Sequence, residues 1–74
     1  MECFETIALD AKGSSLESGK YKNLHSANNF MVQCLHKNKV RWVQIWRHDN
    51  CGNATLYGVF TMYMHKPVQL KKVE

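Results

Sequence analysis

Two stretches rich in β-branched and aromatic residues, Val40 to His48 (VRWVQIWRH) and Thr55 to His65 (TLYGVFTMYMH), constrain this chain more than any other feature. Side chains of this kind suit a pleated, half-buried surface. Between them lies Asp49-Asn50-Cys51-Gly52-Asn53, whose Asn and Gly accept positive φ without strain. The pattern predicts a β-hairpin with a loop longer than the minimal two residues. Pro67 has no amide proton to give a ladder, so the second strand is expected to stop there. The basic tail, residues 66–74, is then expected to fray.

The rest of the chain must cover one face of that hairpin. Glu2 to Leu9 (ECFETIAL) alternates as a strand. Asp10 to Lys22 (DAKGSSLESGKYK) holds glycines and serines and reads as a connector, so residues 10–25 are expected to form a long, partly mobile link. From Ser26 the period changes. Ala27, Phe30, Met31, Cys34 and Leu35 make one helical stripe, with Ser26 placed as N-cap and Asn38 suited to the helix end. The expected fold class is α+β: a single domain over residues 1–74, with a small three-stranded, mostly antiparallel sheet (β-loop-α-β-β) and one helix packed on one face.

A chain of 74 residues buries only about 60% of the surface its unfolded form exposes, so the core is small. Pockets for substrates usually enclose a few hundred Å³, and walls of that extent are costly at this size. No phosphate-cradling or dinucleotide-binding glycine pattern is present. Cys51 with His48 or His65, oriented by Asp49, would be the only nucleophile–base arrangement to consider, and a flexible turn would have to hold it. A zinc site would start from His48-x-x-Cys51 and draw on His65, His36, His25 or Cys3, but no second closely spaced pair exists. The expectation is therefore no enzyme, no metal and no cofactor.

Cys3, Cys34 and Cys51 cannot all pair within one chain, and the N-terminus has no signal-peptide pattern. Reduced thiols in the cytoplasm are expected. No apolar run approaches the roughly 20 residues that span a bilayer, so no membrane is expected among the partners. The formal net charge of +4 favours an acidic partner.

Strand alternation decides which side chains could meet that partner. In the middle strand Trp42 and Trp46 share one face and Arg41, Val43, Ile45 and Arg47 the other. Placing the bulkier tryptophans inward leaves an open face with Arg41, Arg47, Tyr57 and Tyr63 as partner-binding residues. Lys37, Lys39, Arg41 and Arg47 are the candidates for a basic, nucleic-acid-binding edge.

Leu24-His25-Ser26-Ala27, the helix to Leu35 and the hairpin segment VRWVQIWRHDNCGNATLYGVF together resemble short strand–helix–hairpin proteins of phage and prophage accessory genes, some of them anti-CRISPR inhibitors. The likeness spans Leu24 to Phe60 and lies in layout, not in a shared motif, and the long connector departs from the tightest versions. The resemblance implies a stand-alone binding protein that blocks or redirects a host machine. The expected function is thus a non-enzymatic inhibitor whose partner is a host protein or a protein–nucleic-acid complex. The alternatives are a small RNA- or DNA-binding module and a self-associating domain that forms a homodimer.

Overall fold

The computed structural model describes residues 2–72, and side chains as far as Leu70. The elements are β1 (Cys3–Leu9), β2 (Ser15–Tyr21), α1 (Leu24–Leu35), β3 (Trp42–His48), β4 (Ala54–Tyr63) and β5 (Lys66–Lys72). All strand pairs are antiparallel, and they form one five-stranded sheet in the order β2-β1-β3-β4-β5. The expected three-stranded sheet is corrected to five strands with one helix.

Both added strands come from segments read as irregular. Within the presumed connector, Ser15–Tyr21 pairs with β1, which sets Phe4 against Tyr21 and Thr6 against Gly19. The intervening turn is closed by Asp10, whose carboxylate accepts from the backbone N–H groups of Lys12 and Ser14, both at 2.9 Å. Gly13 completes it at φ 84°. Residues 10–25 are therefore a turn, a strand and the start of the helix. The tail follows the same logic. Met64 and His65 sit at φ 50° and 67°, a two-residue turn that returns Lys66 opposite Tyr63. Pro67 lies opposite Met62 within β5, an edge strand, where a missing amide proton is tolerated. Residues 73 and 74 of the expected frayed tail lie outside the described residues.

The helix begins three residues earlier than its apolar stripe suggests. Asn23, not Ser26, is the N-cap: its side-chain oxygen accepts from the backbone N–H of Ser26 at 2.8 Å. Ala27, Met31, Cys34 and Leu35 are buried against the sheet, with Phe30 partly buried beside them. On the sheet side the core comprises Ala8, Val43, Ile45 and Phe60. Thr6 and Ala8 are fully buried and small, which lets the helix approach β1 closely. The Thr6 hydroxyl donates to the Ala27 carbonyl at 3.3 Å.

Burial of Val43 and Ile45 reverses the expected orientation of β3. Trp42 and Trp46 alternate with them and lie on the face away from the helix. The argument from side-chain bulk gave way to fit. A helix seated close over Thr6 and Ala8 leaves room for β-branched side chains, not for indoles.

Candidate functional site: the open face of the sheet

With α1 on one side, the other side of the sheet has no covering element among the described residues. Register places its side chains directly. Leu9 stands opposite Trp42, Ile7 opposite Gln44 and Glu5 opposite Trp46. Across the next boundary Gln44 faces Val59 and Trp46 faces Leu56. These residues are all half-buried, shielded only by one another. The result is a band of Ile7, Leu9, Trp42, Trp46, Leu56 and Val59 along the middle three strands. Such an apolar band facing water is characteristic of an interaction surface.

Two polar contacts fix the band. The Trp46 indole N–H donates to Gln44 Oε1 at 3.1 Å, which orients the ring along the strand. At the far end His48 Nε2 lies 2.9 Å from Glu5 Oε1, with both side chains partly buried. With the proton on Nε2 the imidazole donates to the carboxylate.

At the opposite end the band opens into a cleft of about 510 Å³ between the start of β3 and the β4–β5 hairpin. Val40, Trp42, Met62, Tyr63 and Leu70 line it together with Arg41 and Thr61. The Arg41 guanidinium lies 5.8 Å from the centre of the Trp42 ring, within range of a cation–π contact. Its backbone is pinned on both sides: the N–H donates to the Leu9 carbonyl at 2.8 Å, and the carbonyl accepts from the Thr61 hydroxyl at 2.9 Å.

The residues expected to bind a partner separate in space. Tyr63 is on the open face and 64% exposed, and Arg41 stands at the cleft. Arg47 pairs in register with Phe4, a residue packed against the core, so it lies on the helix side. Its guanidinium donates to Glu2 Oε2 at 2.6 and 3.1 Å, and that contact raises its pKa further. Tyr57 is also on the helix side. A bulge in β4 sets Gly58 opposite Ile45 and Leu56 opposite Trp46, so Tyr57 is the extra residue. Its ring meets Phe4 edge-on at 6.3 Å between centroids.

The expected basic edge is likewise divided. Lys37 is bound to Glu17, a contact that raises its pKa, and Arg47 is bound to Glu2 at the other end of the sheet. Lys39 and Arg41 remain as the cations of that set outside any ion pair among the described residues. Sequence reasoning missed Trp42, Trp46, Ile7 and Leu9 as residues of the open face. The signal was present in the alternation of Val43 and Ile45 against the tryptophans, but bulk was weighted above shape.

The cysteines stand apart from one another: Cys34 is buried, Cys3 half-buried and Cys51 exposed, and all three are free thiols. Burial pushes the Cys34 thiol pKa up, with the Glu17 charge adding to the effect. Around Cys51, the Asp49 carboxylate accepts from the N–H groups of Asn53 and Cys51, which lowers its pKa below the usual value. Among the described residues no three His, Cys, Asp or Glu side chains converge in a metal-holding group, and no helix is long and apolar enough to cross a membrane. Comparison with known proteins found no matching family model, curated protein or solved structure.

Proposed function

We propose that this protein is a non-enzymatic binding module that docks on a protein partner through the open face of its sheet and thereby blocks or redirects it. The reading is carried by one observation: Trp42 and Trp46 stand with Ile7, Leu9 and Val59 on a face that no element covers among the described residues. Aromatic and branched apolar side chains in a contiguous patch are the usual anchors of protein interfaces. A cytoplasmic machine of the host is the partner class that fits a small inhibitory domain. The uncovered face also suits self-association, and the free cations suit nucleic acid.

Affinity capture from cell lysate, with and without nuclease, tests the reading. The wild-type protein should retain a discrete protein partner in both cases, while a Trp46→Ala/Val59→Lys double variant of unchanged circular dichroism should lose it. Recovery of the bait alone by both proteins would defeat the proposal. So would retention that vanishes on nuclease treatment, which would favour nucleic acid, or a concentration-dependent dimer that the double variant abolishes.

A further inference from the structure

The surface is polarised along the strands. Glu2, Glu5 and Asp49 cluster where Cys3 pairs with His48, and there Arg47 and His48 answer the two glutamates. At the other end, beside the cleft, lie Lys12, Lys39, Arg41 and Lys66, none in an ion pair among the described residues. Asp10 and Glu17 are the acids at that end; two backbone amides of its own turn occupy the Asp10 carboxylate, and Glu17 is paired with Lys37. A second asymmetry coincides with the first. Tyr63, Met64, Val68 and Leu70 are large apolar side chains exposed on the β4–β5 hairpin, with Met64 at 76% and Leu70 at 56%.

We propose that the β4–β5 hairpin and the cleft beside Trp42 form a docking site for an acidic segment of a partner protein that carries one bulky apolar anchor. The anchor enters between Val40, Met62 and Leu70, and flanking carboxylates meet Arg41 and Lys66. Charge complementarity selects the occupant: this end is cationic and both of its acids are engaged. The lining selects a peptide over a stacked base. Val40, Met62 and Leu70 give it an aliphatic pocket, and the Arg41 guanidinium already lies over the Trp42 ring where a base would have to stack. This inference rests on the binding reading above and names the chemistry of one end of the same surface.

The test uses fluorescein-labelled peptides of alternating Asp and Glu around a central Trp, Phe or Leu, read by anisotropy at low salt. Matching peptides with a central Ser, matching peptides with Lys in place of the acids, and oligo(dT) serve as comparisons. The acidic peptides with an apolar centre should bind most tightly and weaken with added salt. Leu70→Ser and Arg41→Glu should each weaken binding about tenfold, a change expected on losing one interface anchor. Both sites are exposed, and amide NMR spectra of the variants should confirm the fold and place the peptide's shifts at Val40–Trp42 and Thr61–Leu70.

The proposal is overturned if none of the acidic peptides binds the folded protein, or if the Ser-centred peptide binds as well as the others. Tighter binding of oligo(dT) overturns it in favour of nucleic acid. If the peptides fail while partner capture still depends on Trp46 and Val59, this inference falls and the wider reading stands. If the peptides bind as expected and capture fails, the site is real and the wider reading falls.

Discussion

Thr6 shows how much can rest on one side chain in so small a core. It is fully buried, and its hydroxyl is the polar link between β1 and the helix, donating to the carbonyl of Ala27. That carbonyl also belongs to the helix, so the bond adds a tether without rescuing an orphaned group. Replacing threonine by its isostere valine keeps the volume and removes the donor. Thr6→Val should cost about 1 kcal/mol, the net worth of one buried hydrogen bond. Urea titration should show a lower midpoint at unchanged slope. A variant as stable as the wild type would show that shape alone seats the helix. The cysteines allow a second prediction at this scale. Thiolate is the reactive form, and burial disfavours it. Cys51, exposed on its turn, should be alkylated first by iodoacetamide, and Cys34 only as the protein unfolds. Peptide mass spectrometry over a time course reads the order directly, and early labelling of Cys34 would contradict the buried placement.

At the scale of elements, the β4–β5 turn carries a conformational cost. Met64 and His65 both adopt positive φ, a region in which side chains with a Cβ are disfavoured. Asn-Gly is the preferred pair for such a turn. Met64→Asn with His65→Gly should stabilise the protein by roughly 1–2 kcal/mol, seen as a higher melting temperature. An unchanged or lower one would mean that the hairpin does not adopt this turn. The same turn explains what the sequence concealed. Nothing in Met64-His65 announces a hairpin, and Pro67 reads as a stop until the strand beyond it is known to be an edge. The segment SLESGKY is similar, since its glycine and serines argue for a loop. It becomes β2 because β1 offers a free edge and the Tyr21 ring fills the space over Gly19, where a Cβ would come within 2.9 Å of the phenolic oxygen. Here tertiary pairing overrides weak local preference. The helix stripe, the first strand and the β3–β4 hairpin were legible because their apolar spacing is strong. Arg41 and Tyr63 were legible as exposed side chains, whereas Arg47 and Tyr57 were not placed correctly. A bulge at Tyr57 shifts the alternation by one residue, and no local signal marks it.

For the molecule as a whole, the fold divides the apolar side chains of β3 between two roles. One face, Val43 and Ile45, is fully buried beneath the helix. The other, Trp42 and Trp46, is larger but only half-buried. If both faces served stability, the tryptophans would matter most, because they have the greater area to remove from water. The architecture requires the opposite order. Ile45→Ala opens a cavity at the centre of the helix–sheet interface, where neighbours can collapse little, and should cost about 2–5 kcal/mol. Trp46→Ala removes a ring that already meets water on one side, and should cost roughly 1 kcal/mol by area. Denaturant melts of the two variants side by side therefore decide between a tryptophan core and a tryptophan surface. A loss at Trp46 equal to or greater than that at Ile45 would place the indoles in the core and remove the basis for a binding face. The expected order would mean that the chain holds its largest apolar groups outside the core, where contact with another molecule can bury them.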